Sequence, residues 1–313
     1  MRCAPAFDWA RERHTVELVD GVGAVFVPDD APGFLLLRSS VPLEVAEDAD
    51  ATGPEVVATF RLEAGEEADL LLTWHDERPG RDEVREVAEH EAAELREKTL
   101  GYWQRWLARS NYSGRWREMV HRSALLLKLM VHDPTGALIA APTAGLPEEI
   151  GGERNWDYRY AWLRDAAFTS YALMRLGFVE EGRAFLAWLQ QRMAEADDTA
   201  GLLPVYTVHG APPPDEIELS HLSGYRGSRP VRIGNAAGAQ RQLDTYGEVM
   251  DSIYIANKET PISYDLWTRV RSSLDWLDRN RHLPDQYVEA LTRAGRLDKV
   301  RNCLLYTSDA ADE

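Results

Sequence analysis

The apolar and polar positions fall into two textures that change near residue 80. Up to about residue 76, TVELVDGVGAVFV, GFLLLRSSVPLEV and VVATFRL…ADLLLTW are β-branched or apolar runs broken by Gly, Pro and Asp. Short runs at this spacing predict antiparallel strands and a sandwich, here a partial one. From Asp82 to about Ser110 the chain is charged, with Val84, Val87, Ala88, Leu95, Tyr102, Trp103 and Trp106 near one face, which predicts a linker helix. Beyond Gly114, RWREMVHRSALLLKLMV is apolar around much of its girth and predicts a deeply buried helix. Further helices are expected over LRDAAFTSYALMRLGF, from about 179 to 194, and near 240–257 and 264–281. Long loops join these helices, an arrangement that suggests a toroid of helical hairpins with its site where the loops converge. The expected domains are 1–80 (β-sandwich), 81–113 (linker helix) and 114–302 (helical), with a non-native tail over 303–313.

Composition narrows the function classes. The net charge of −17, with no basic stripe interleaved with aromatics, argues against a nucleic-acid partner, whose phosphates are bound by Lys and Arg clusters. Neither a long apolar run nor a leader-like N-terminus stands out, so no membrane partner and a cytoplasmic location are expected. The two cysteines, Cys3 and Cys303, have no metal-ligand or disulfide spacing, and no cofactor or metal is expected. Ten Trp and twelve Tyr supply flat apolar faces with polar edges, suited either to stacking on sugars or to packing between helices.

Two stretches carry candidate chemistry. In GGERNWDYRYAWLRDAAF, Gly151 to Phe168, the aromatic residues Trp156, Tyr158, Tyr160 and Trp162 are interleaved with charged ones just before a helix. Arg164 offers a fork of donors and Asp165 accepts hydroxyl protons, a pair that reads vicinal sugar hydroxyls. The structural alternative is a core of aromatics, with Asp165 favoured by the helix dipole alone. The second stretch, His221 to Asp244, places Tyr225, Arg226, Arg229, Arg232, Asn235 and Gln240 among glycines that let backbone approach a ligand; its alternative is a turn-rich surface loop. Other patterns fail. Asp48–Gly53 starts like a calcium loop but has Thr59 where a bidentate Glu is needed. Asn111-Tyr112-Ser113 is a sequon by pattern only, and His121 and His132 lack ligand spacing.

The string RNWDYRYAWLRDAAF resembles glycoside hydrolase family 15, the glucoamylase-like and bacterial trehalase-like enzymes. FDWARERHTVELVDG, RWREMVHRSALLLKL, PTGALIAAPTAGLPEEIGG, GYRGSRPVRIGNAAGAQRQLDTYGEVMD and PISYDLW agree in order, over most of residues 5–285. The resemblance implies a β-sandwich followed by an (α/α)6 toroid, about half of it present. It also implies inverting, exo-acting hydrolysis of an α-glucosidic bond, in trehalose or malto- and isomalto-oligosaccharides, with release of glucose. Inversion uses an acid and a base carboxyl roughly 6.5–9.5 Å apart, with water between them. Arg164 and Asp165 are expected to bind the non-reducing glucose, with Tyr160 and Trp162 as walls and the Tyr225–Gln240 loop at the mouth.

The catalytic residues themselves are not identified. The family's general-acid segment, expected soon after Pro284-Asp285-Gln286, is replaced by Tyr287-Val288-Glu289-Ala290, and the general-base segment is missing. Glu289 is a poor substitute. CLLYTSDAADE resembles no part of the family, so a spliced piece of a longer gene, itself inactive, is expected. The alternatives are a non-catalytic carbohydrate-binding remnant and, from other classes, a sugar phosphorylase or lyase on a helical toroid.

Overall fold

The computed structural model describes residues 1–46, 52–196, 201–283 and 285. Most of Asp48–Gly53, the Gln286–Tyr287 junction, Glu289, Cys303 and the 303–313 tail lie outside the described residues. The chain forms two compact units, Met1–Gln104 and Arg105–Glu313.

The first unit is built on seven strands: β1 (Arg2–Cys3), β2 (His14–Val19), β3 (Gly23–Pro28), β4 (Phe34–Ser39), β5 (Glu44–Ala46), β6 (Glu55–Val57) and β7 (Leu70–His75). Their apolar runs pair antiparallel in the orders β2-β3-β4-β7 and β1-β6-β5. Alternation along β3 sorts its side chains by face. Ala24 and Phe26 enter a core with Phe7, Leu37, Leu43, Val56 and Ala58, contributed by both sheets. Val25 points the other way and packs with Leu36 and Val84. Val84 and Val87 are thus buried without being helical, because residues 81–90 are turns and irregular chain. The predicted helix begins later, as α1 (Glu91–Leu107), and spans the division between the units.

In the second unit the helices are α2 (Arg117–Leu129), α3 (Leu163–Arg175), α4 (Val179–Glu195), α5 (Asp244–Glu259) and α6 (Tyr264–Asn280). Three residues link α3 to α4 and four link α5 to α6, so each pair forms a hairpin. Ser263 caps α6, its hydroxyl accepting from Leu266 N–H at 3.1 Å. The core joins Leu163 and Ala166 of α3, Phe185, Trp188 and Leu189 of α4, Tyr246 and Val249 of α5, and Trp276 of α6. Tyr246 and Trp276 stack at 5.3 Å between centroids, and the Tyr246 hydroxyl accepts Leu202 N–H at 2.8 Å.

Before α3, Trp106 stacks on Phe178 at 3.9 Å and donates its indole N–H to buried Glu181 at 2.6 Å. Arg109 and Lys128 also reach Glu181, at 2.9 and 3.3 Å. Burial opposes ionisation of this carboxyl, but the indole N–H, a backbone N–H and the two cations outweigh it and hold its pKa below the ordinary value.

α2 departs from expectation. Only Ala124 and Lys128 are buried, while Met119, Leu126 and Leu129 are more than half exposed. Its apolar girth exceeds what one neighbouring face covers among the described residues. No described helix is long and apolar enough to cross a membrane.

Candidate carbohydrate site

The two candidate stretches are loops, the first running into α3; each is braced by backbone pairing with neighbouring chain, and side-chain bonds centred on one buried acid tie them together. Ala140 and Ala141 donate to the Tyr160 and Tyr158 carbonyls at 2.9 and 3.0 Å, and Tyr158 N–H returns a bond to Thr143. A short strand, β8 (Ala161–Trp162), then pairs with β9 (Val205–Tyr206), which orients Trp162 just before α3 begins. Another pair, β10 (Ile217–Glu218) with β11 (Arg232–Ile233), frames the second loop.

Asp157 is fully buried and joins the two loops. Its carboxylate accepts from the Arg159 guanidinium at 2.8 and 2.7 Å and from Gly234 N–H at 3.1 Å. Asn235 donates its side-chain amide to the Asp157 carbonyl at 3.1 Å. Gly234 is required there: its φ is +76°, and a Cβ would lie 2.1 Å from the Asp215 carbonyl oxygen.

One cavity of about 390 Å³ is lined by seven of the predicted residues, Trp156, Tyr158, Trp162, Arg164, Asp165, Asn235 and Gln240. The other three sit behind or beside it. Tyr160 is buried against Trp162 and Val205, where burial pushes its phenol pKa up. Arg232 lies over the Trp156 ring at 4.8 Å and pairs with Glu216 at 3.0 Å, so it braces a wall. Tyr225 is about half exposed, with Arg226 near its ring, and is not among the residues lining the cavity.

The Arg-Asp pair is fixed from the start of α5. Arg164 donates to Asp244 at 3.0 Å and to Gln242 at 3.3 Å. It also approaches Asp165 Oδ2 at 3.5 Å, an ion contact without hydrogen-bond geometry. Asp165 Oδ2 is buried against the Arg164 charge with no described donor in hydrogen-bond geometry, while the Asp165 side chain as a whole is 46% exposed and lines the cavity. Tyr158 donates to Glu148 at 3.1 Å; its own pKa is pushed up to about 12, by burial first and by Glu148 second.

Behind Arg164, burial raises the pKa of Asp244 despite the ion pair. Glu248, one turn further along α5, is raised to about 7 by burial and then by Asp244 and Asp251. Gln242, Glu216 and Asp244 were not singled out by sequence. Gln240 and Gln242 share the parity of an extended chain, the available signal for Gln242, whereas Leu243 already takes helical backbone angles and Asp244 opens α5, so alternation does not point to Asp244.

The arrangement can grip a polyol: aromatic walls, one oriented guanidinium and one half-exposed carboxylate. Among the described residues, no group of three or more His, Cys, Asp or Glu is placed to hold a metal ion.

Comparison with known proteins gives the same direction. Residues 114–287 match the family model described as Glycosyl hydrolases family 15. A trehalase of Mycobacterium tuberculosis is 35% identical over 295 residues, covering 91% of this chain and 42% of that protein. One from Thermoplasma acidophilum is 33% identical over 286 residues, covering 91% and 46%. The chain spans less than half the length of these curated relatives. A crystal structure of a bacterial glucoamylase complexed with acarbose superposes with a TM-score of 0.61 at 14% identity, over 96% of this chain and 47% of that one, a likeness of fold.

Proposed function

The chain belongs to glycosyl hydrolases family 15, and from that premise we propose that its cavity holds the non-reducing glucosyl unit of an α-glucoside, trehalose first among the candidates. The observation that carries this reading is the convergence of Trp156, Tyr158, Trp162, Arg164 and Asp165 on one cavity, with the Arg164 guanidinium fixed by Asp244 beside a half-exposed Asp165 carboxylate.

In this reading each group has a separable task. The indoles of Trp156 and Trp162 meet the C–H face of the ring. Arg164, held by Asp244 and Gln242, donates to ring hydroxyls, and Asp165 accepts from a neighbouring one. The reaction of the whole protein is inverting, exo-acting hydrolysis, with one carboxyl protonating the leaving oxygen and another activating water. Asp165 and Glu216 are the carboxylates lining the cavity; the first is committed to binding and the second is paired to Arg232, so neither is assigned the acid or base role. The helix pairs α3–α4 and α5–α6 are read as successive hairpins of an (α/α)6 toroid, supported by the likeness to the glucoamylase fold. That cavity composition also favours a second reading, in which this polypeptide alone binds glucosides without turning them over.

Calorimetric titration with trehalose, maltose and isomaltose tests the binding step. Saturable trehalose binding that is weakened about tenfold or more in Asp165→Ala is expected; no binding of any of the three refutes the assignment. Incubation with trehalose, followed by NMR of the released anomer, separates the two readings. Appearance of β-glucose supports turnover by the chain, and unchanged trehalose supports binding alone.

A further inference from the structure

The β-unit carries a second cavity, of about 620 Å³, unconnected with the residues assigned above. Apolar Phe7 and Leu35 line it, with Trp74 and the carboxylates Asp8, Glu12 and Asp30 around them. Trp74 sits on β7 opposite Leu35 of β4 and is 53% exposed. Leaving so much indole in water forgoes hydrophobic stabilisation, yet the ring is held in place. Its N–H donates to Asp76 at 3.2 Å. Its edge lies against Gly33, at φ +81°, where a Cβ would come within 2.0 Å of Trp74 Cζ2. Only glycine leaves the indole room to lie over the backbone in this way.

The acids around this platform are already partly engaged. Asp8 pairs with Arg11 at 2.7 Å, and Glu12 accepts Asp30 N–H. The Asp30 side chain makes no hydrogen bond or ion pair with the described residues and is exposed. A fixed aromatic face beside carboxylates with lone pairs to spare matches a pyranose ring, which presents an apolar C–H face and an equatorial rim of hydroxyl donors. A quaternary ammonium ligand fits less well, because cation recognition of that kind uses a cage of several aromatics. Phe7 is 6% exposed, so Trp74 is the aromatic face open to a ligand here. The volume lies within the range of small-molecule clefts.

We propose that this cavity is a second carbohydrate site, which takes a neutral oligosaccharide stacked on Trp74 and hydrogen-bonded to Asp30 and Glu12. It rests on the reading of the helical unit only for the choice of probe. Maltotetraose is titrated calorimetrically into the full chain carrying Asp165→Ala, which weakens the first site about tenfold or more. Retained one-to-one binding is expected. Adding Trp74→Ala should weaken it about tenfold or more, while Trp74→Phe, which keeps a ring, should restore most of it. Asp30→Asn should weaken it less than Trp74→Ala. Loss of all binding in Asp165→Ala alone would overturn the second site while leaving the first intact. Unchanged binding after Trp74→Ala overturns it too, and so does Trp74-dependent binding of tetramethylammonium in place of the sugar. If instead binding survives Asp165→Ala and falls with Trp74, the second site stands whatever the fate of the first.

Discussion

Asp165 sits at the cavity edge with its side chain 46% exposed and 3.5 Å from the Arg164 guanidinium, so its carboxylate can accept a ligand hydroxyl while keeping that ion contact. Replacing Asp165 with Ala should weaken glucoside binding by about 1.5–3 kcal/mol, the range for a hydrogen bond to a charged group, and calorimetry reads it directly. Gln242→Leu should weaken binding less, because Arg164 keeps its bond to Asp244. The pH dependence of this cluster has a definite sign. Glu248 titrates near 7 in the folded chain and near 4.5 when unfolded, so the folded state holds its proton more tightly. Its contribution is fully present below pH about 4.5 and is lost as pH rises through about 7. Glu248→Gln should therefore flatten the fall in stability across that window, as followed by urea unfolding at stepped pH. Glu91 runs the other way: bonded to Arg38, its pKa is lowered to about 2. Its stabilisation is present above its unfolded value and disappears as pH falls toward 2, so Glu91→Gln should blunt the acid limb of the same profile.

At the scale of elements, the helical unit depends on contacts that bridge helices rather than on any one helix. Trp276→Ala should cost about 3–5 kcal/mol, whereas Tyr246→Phe, which loses only the bond to Leu202, should cost about 0.5–1.5 kcal/mol. Chemical denaturation of the two variants checks the order. Elements with a clear period were legible in the sequence. The hairpin of β2 and β3 follows from alternation around Gly21, and α4 to α6 from apolar faces at helical spacing. Val84 was misread because a buried valine at helical spacing looks the same whether it lies on a helix or on irregular chain across a sheet. α2 was misread because an apolar girth says what a helix would accept as neighbours, not which neighbours it has. In the site, Arg164 and Asp165 stood out as a charged pair among aromatics. Asp244 and Gln242 did not, since polar residues opening a helix also serve as ordinary caps and only the fold brings them to Arg164.

For the whole molecule, a net charge of −17 sets a background of self-repulsion. The exposed Met119, Leu126 and Leu129 on α2 oppose it with a local apolar attraction. Added salt should therefore promote self-association by screening the first term while leaving the second, and light scattering at low and high ionic strength would show it. Leu126→Glu with Leu129→Lys should abolish the effect; an unchanged scattering profile in that variant counts against α2 as the contact. Asp157 has a different reach. Its bonds to Arg159 and Gly234, and the Asn235 bond to its carbonyl, hold loops 77 residues apart in a single arrangement. The conformational entropy of ordering those loops is thus surrendered when the chain folds, before any sugar arrives. Loosening Asp157 would move that loss into the binding step, so a glucoside would meet the same side chains with a less favourable entropy of association and a slower approach to equilibrium.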